Sequence, residues 1–183
     1  MALSKPKQQT IDVFDGADKR TKEHFRHVPS LIEQFVPEIA MVYVFDRAAA
    51  AHNALIVAGL VTKYKVHRDV AREVAVFQEC TWDEFHYEYQ TVFGGVIPED
   101  VAQLFHAANE SRRALLAGKR VSSKDQCVAV QNVLKYADAL DAFVSDNAKL
   151  HPFADLSKAK TRGNGLDKDS SRWVLKGMGF PLL

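Results

Sequence analysis

The chain has 183 residues, 47% of them hydrophobic and 26% charged, with a formal net charge of +1. That length holds one domain with a real core, and the balance is ordinary for a soluble globular protein. The near-zero net charge excludes a global field pulling the chain onto nucleic acid or lipid. Two cysteines, Cys80 and Cys127, outside any CxxC motif exclude a zinc ribbon or a disulfide framework.

The opening residues, MALSKPKQQT, lack the apolar core of a signal peptide, so a cytoplasmic protein is expected. Residues 1–10 are polar and are expected to be disordered. Gly16 marks a turn, and His24 and His27 then lie one helical turn apart. No further Cys, Asp or Glu accompanies them in ligand spacing, so they read as a solvated face, and no metal or other cofactor is expected. Residues 1–29 thus read as an N-terminal segment, partly disordered.

Ser30 and Glu33 form a capping box, S-x-x-E, which predicts a short helix there. Pro37 either kinks that helix or occupies the first turn of the next. The stretch PEIAMVYVFDRAAAAHNALIVAGLV, residues 37–61, is the longest mostly apolar run and has no glycine before Gly59. Its length and alanine content favour helix over strand. Apolar residues lie all round this helix, as expected of the central member of a bundle. Asp46, Arg47, His52 and Asn53 interrupt the run, so it does not read as a membrane span. Asp46 and Asn53, seven apart on one face, read as a buried polar cluster.

Val70, Val74 and Phe77 predict a helix from about Arg68 to Glu79. Thr81 and Glu84 form a second capping box, so a new helix starts at Trp82. It carries Trp82, Phe85, Tyr89 and Phe93 on one side, leaves His86 and Glu88 on the wet side, and ends at Gly94-Gly95. Those rings could stack bases, but at helical spacing they read as core. Pro98 opens the next helix, with Glu99 and Asp100 at its positive end. Its apolar stripe runs Val101, Leu104, Phe105, Ala108, Leu115 and Leu116, and Gly118 closes it. Ser123 and Gln126 suggest a third capping box, heading a long amphipathic helix that runs to about Lys149.

From His151 the character changes. Lys158, Lys160, Arg162, Lys168, Arg172 and Lys176 stand against only Asp155, Asp167 and Asp169, leaving the rest of the chain slightly acidic. SSRWVLKG reads as one or two helical turns capped by Ser170 or Asp169. Trp173 and Phe180 are too apolar for a free tail and are expected to dock on the bundle or on a partner. No E-x-x-H, GxGxxG, P-loop or G-x-S-x-G occurs.

One residue breaks its pattern. Stepping about 100° per residue from Val101 places Arg112 within roughly 20° of the stripe centre. An inward arginine needs an anion or a carbonyl cluster. The alternatives are a side chain that snorkels past the core or one paired with Asp46. The setting, ANESRRALLAGKRVSSKD followed by a long amphipathic helix, resembles the motif region of HEPN-domain proteins. The resemblance covers residues 38–149 in overall pattern, and about eight residues carry it. It implies an all-α bundle, commonly dimeric, in a family that includes metal-independent ribonuclease toxins and abortive-infection proteins. In that family an arginine stabilises the RNA phosphate and a histidine four to six residues on handles the 2′-hydroxyl proton. Arg112 matches the arginine and Gly118 the glycine that often follows, but the histidine position holds Ala117, which transfers no proton. A literal Arg-x4-His occurs instead within the apolar run, at Arg47 and His52, although five helical steps separate them by roughly 140°.

The sequence therefore reads as an all-α bundle of five or six helices over residues 30–150, with an irregular basic extension over 151–183. The leading functional expectation is a HEPN-like homodimeric domain that acts on RNA or controls a partner that does. Arg112, Arg47 and His52 are its catalytic candidates. Lys119, Arg120, Lys158, Lys160, Arg162 and Arg172 are its phosphate contacts. The competing expectation is a non-enzymatic interaction module that docks a protein through Trp173–Leu183.

Overall fold

The computed structural model describes residues 3–76, 81–161 and 163–182. Phe77, Glu79, Cys80, Arg162 and Leu183, used in the readings above, lie outside the described residues. Among the described residues there are nine α-helices, one short 3-10 turn and no strand, so the fold is an all-α helical bundle. The chain divides into two compact units, Met1–Ala48 with Pro98–Asn147 and Ala49–Ile97 with Ala148–Leu183.

The first unit contains α1 (Lys5–Gly16), α2 (Lys19–His24), α3 (Val28–Gln34), the first part of α4 (Pro37–Lys63), α7 (Glu99–Leu116) and α8 (Ser123–Ala148). Helix α1 occupies residues expected to be irregular. Pro6 sits in its first turn, and Thr10 and Phe14, one turn apart, are buried, so packing against α3 supplies the order. Lys7 also ties it down by donating to the Phe35 carbonyl at 2.7 Å. The Ser30 box does not form. Helix α3 starts two residues earlier with Pro29 in its first turn, and the Ser30 hydroxyl donates back to the His27 carbonyl at 3.0 Å. Pro37 occupies the first position of α4 and does not kink α3. The core joins Phe45, Phe105 and Tyr136, whose rings meet at 5.3 and 4.9 Å. Helix α8 adds Val130, Val133, Leu134, Ala137 and Leu140, all buried. Its head is capped one residue earlier than expected, by Ser122 accepting from the Asp125 amide at 3.1 Å. Asp125 then brings a carboxylate to the helix N-terminus, which Gln126 would not.

The second unit holds the rest of α4, α5 (Arg68–Val76), α6 (Trp82–Phe93), the 3-10 turn Leu156–Lys158 and α9 (Lys168–Gly177). Helix α4 is long and apolar enough to cross a membrane, and 67% of that apolar window is buried within the protein. Asp46 is exposed and Asn53 half-buried, so no buried polar cluster forms between them. At Gly59 the α4 backbone meets α6 so closely that a Cβ would lie 2.5 Å from Phe93 Cζ and 2.6 Å from Val92 Cγ1. Thr81 and Glu84 do make the expected box, with hydroxyl and carboxylate each bonded to the other's backbone amide, and Gly94 closes α6 at φ +77°. Glu88 is not on a wet side, being only 4% exposed. The buried arc of α6 is wider than an aromatic stripe, and Glu88 falls inside it between Phe85 and Val92. Helix α9 packs on α5 and is capped by Asp167, which accepts from the Ser170 amide at 2.8 Å, in place of Ser170 or Asp169.

Candidate nucleic-acid interface

Arg112 does not point inward. Its side chain is exposed, and its guanidinium lies over the Phe45 ring, 5.2 Å from the centroid. The stripe position was right, but the long side chain runs over the core edge to reach solvent. Asp46, the acid considered for pairing, is exposed and makes no ion pair with it. Around Arg112, the residues Arg113, Lys119 and Arg120 are also exposed, and none of the four has an ion pair among the described residues. The ring beneath Arg112 contacts the guanidinium without neutralising its charge. Ala117 stands exposed at the C-cap of α7, so no proton-transfer group sits at the position the resemblance assigns to histidine.

The histidine that Arg47 meets is His24. Its Nε2–H donates to the Arg47 carbonyl at 2.9 Å, and its Nδ1 accepts from the Arg47 guanidinium at 3.3 Å. Burial holds the imidazole below its ordinary pKa, against the raising effect of the carbonyl bond. The neutral ring is therefore a clamp between α2 and α4, and His24 is half-buried where a solvated face was expected, while His27 is exposed. Among the described residues no group of three potential ligands comes together. His52 is buried and stacked on Phe85 at 3.8 Å with Trp82 at its edge. Arg47 and His52 thus have separate partners, and five helical steps keep their side chains roughly 140° apart on α4.

In the basic extension the cations divide. Lys158 is ion-paired with Asp155 at 3.7 Å, and Arg172 bonds both Glu73 oxygens at 3.2 Å. Arg172 is therefore a fastener of α9 to α5 and not a free phosphate contact. Lys160 is exposed and without an ion pair among the described residues. Arg162 lies outside the described residues. Phe180 is buried as expected, whereas Trp173 is 78% exposed and is not covered by the described residues.

The sequence reading gave Arg68 and Arg72 no role and assigned Glu88 to solvent. Arg68 and Arg72 share a face of α5 and line a cavity of about 540 Å³. Glu88 sits among apolar side chains, and burial, helped by Glu84 one turn earlier, pushes its carboxyl up to about 7. The R-D-x-x-R-E spacing of α5 is the signal that could have found the arginines.

No family model matches the chain, and neither a curated protein nor a solved structure matches it.

Proposed function

We propose that the chain is a HEPN-like helical protein that contacts RNA through its phosphates at the end of α7, and that it does not cleave RNA there. The observation that carries this reading is Arg112, exposed, unneutralised and laid on the Phe45 ring, in a stretch with Arg113, Lys119 and Arg120. Arginines and lysines of this kind hold phosphates through charge, with no reading of base sequence. Ala117 leaves the Arg-x4-His arrangement without its acid–base partner. Dimerisation belongs to the same proposal and rests on the resemblance.

The test is fluorescence anisotropy of a labelled single-stranded RNA, titrated with wild type, Arg112→Ala and Lys119→Ala/Arg120→Ala across a salt series. Each lost phosphate contact is expected to weaken binding and to lower the salt slope by roughly 0.7. Wild type that fails to bind at low salt, or variants that keep its affinity and slope, would overturn the reading. Cleavage gained in Ala117→His would support a silenced catalytic site.

A second reading, a protein-interaction module, is favoured by Trp173, since an exposed tryptophan is a common interface anchor. Loss of a bound protein partner on Trp173→Ala, with RNA affinity absent from the wild type, would favour it.

A further inference from the structure

A second basic site lies wholly within the second unit and stands independently of the RNA reading. Helix α5 carries two acids and two arginines in register: Asp69 and Glu73 on one face, Arg68 and Arg72 on the next, each pair one turn apart. Helix α9 takes up the acids. Lys168 pairs with Asp69 at 3.1 Å, and Arg172 with Glu73 at 3.2 Å. Neither arginine has a carboxylate within ion-pair distance among the described residues, and Arg72 makes no hydrogen bond there; it acts on Asp69, one turn earlier, through its field alone. Arg68 is held in place by donating to the Ala159 carbonyl.

Both arginines line the cavity of about 540 Å³, with Asn53 and Ser157 as further polar groups and Ala54, Val57 and Leu156 as an apolar wall. That volume lies within the ordinary range for small-molecule sites. The Ser157 hydroxyl donates to Asp155, whose charge Lys158 offsets, so the two guanidinium groups set the sign of the site. A neighbouring cavity of about 500 Å³ shares Arg68 and adds Lys160, His67 and Thr161. The Thr161 hydroxyl there is buried without a hydrogen-bond partner among the described residues.

We infer that this cavity binds a phosphate monoester with a compact apolar body. Two guanidinium groups match the charge of a monoester, about −1.5 to −2 at neutral pH, and present the fork geometry that phosphate oxygens accept. The wall of Ala54, Val57 and Leu156 offers the organic part an apolar surface, which inorganic phosphate cannot use.

Isothermal titration calorimetry on the full chain tests this with phenyl phosphate, inorganic phosphate, benzoate and phenol. Phenyl phosphate is expected to bind at least tenfold more tightly than each of the others. Arg72→Ala and Asn53→Asp are expected to weaken it at least tenfold. Lys176→Ala, which removes the same charge away from the cavity, changes it less than twofold. Circular dichroism melting of each variant separates lost binding from lost folding, and Arg72→Lys provides a variant that keeps the charge. Phenyl phosphate no tighter than inorganic phosphate, benzoate preferred, or an unfolding-neutral Arg72→Ala that retains wild-type affinity would each overturn the inference.

Discussion

Glu88→Gln should abolish most of the loss of stability that Glu88 causes between mildly acidic and mildly basic pH. The carboxyl is 4% exposed, and its Oε1 has no hydrogen-bond partner. Burial raises it from the ordinary 4.5 to about 7, with the Glu84 charge adding to the effect. The unfolded chain ionises near 4.5 while the folded chain stays protonated to about 7. Between those values the folded state binds more protons, so stability is fully present below 4.5 and falls as pH rises through 7. The interval from 4.5 to about 7 corresponds to roughly 3 kcal/mol, an upper figure because water entry relaxes a buried charge. Glutamine stays neutral throughout and occupies nearly the volume of the protonated acid. Its amide also lacks a partner, which shifts the variant's curve by a constant and leaves the slope untouched. Urea unfolding of both proteins at pH 5, 6, 7 and 8 gives the two curves. His24 and the remaining carboxylates titrate in both and cancel in the difference. A difference rising by about 2–3 kcal/mol in favour of Glu88→Gln is expected. Parallel curves would refute the argument, since they would mean that Glu88 ionises as freely in the fold as out of it.

His24 should titrate below 6.5 in an NMR pH series of its ring proton, because burial holds it neutral, and its contribution is lost as pH falls through that lowered value. Thr81→Ala removes the hydroxyl that accepts from the Glu84 amide, leaves the backbone half of the α6 capping box in place, and should cost about 1 kcal/mol in urea unfolding. Gly59→Ala pushes a methyl to 2.5 Å from Phe93 Cζ and into buried Val92, so a loss of about 1–3 kcal/mol by the same assay is expected. Arg20→Ala removes the 3.3 Å ion pair with buried Asp141 and should cost about 1–2 kcal/mol by the same assay.

What could be read in advance was local chemistry. The Thr81–Glu84 box and the Gly94 stop need only neighbouring residues, and both form as expected. The Ser30 and Ser123 boxes fail for an equally local reason, a competing start beside them at Pro29 and at Ser122–Asp125. Helix α1 was not legible because its apolar stripe is little more than Thr10 and Phe14, and its order comes from α3. Arg112 shows the limit of wheel geometry. The angle fixes where the Cβ leaves the helix, but a six-atom side chain then chooses its own depth, and here it chooses the Phe45 ring and solvent. Glu88 errs in the opposite direction: a charged residue assigned to water because of its type lies where α6 is buried.

The cavity arginines show why a site can be invisible while its charges are in plain view. In the sequence, Arg68-Asp69 and Arg72-Glu73 read as two self-neutralising pairs, and the usual expectation for such a run is a solvated face. Adjacent residues on a helix diverge by about 100°, however, so neither arginine pairs with the acid beside it, and Arg72 reaches Asp69, one turn earlier, only through its field. Which face keeps its charge then depends on what α5 packs against. Lys168 and Arg172, a hundred residues away in the chain, cover the acid face. The arginine face meets Asn53 and the 156–157 turn, which bring no carboxylate into the cavity. Reversing the two charges on α9 would leave Asp69 and Glu73 unpaired beside the cavity and cancel its positive field. Lys168→Glu/Arg172→Glu should therefore weaken phenyl phosphate binding although neither residue lines the cavity. Unchanged affinity in that variant, once shown to be folded, would mean that the positive character of the site does not depend on this division of charge.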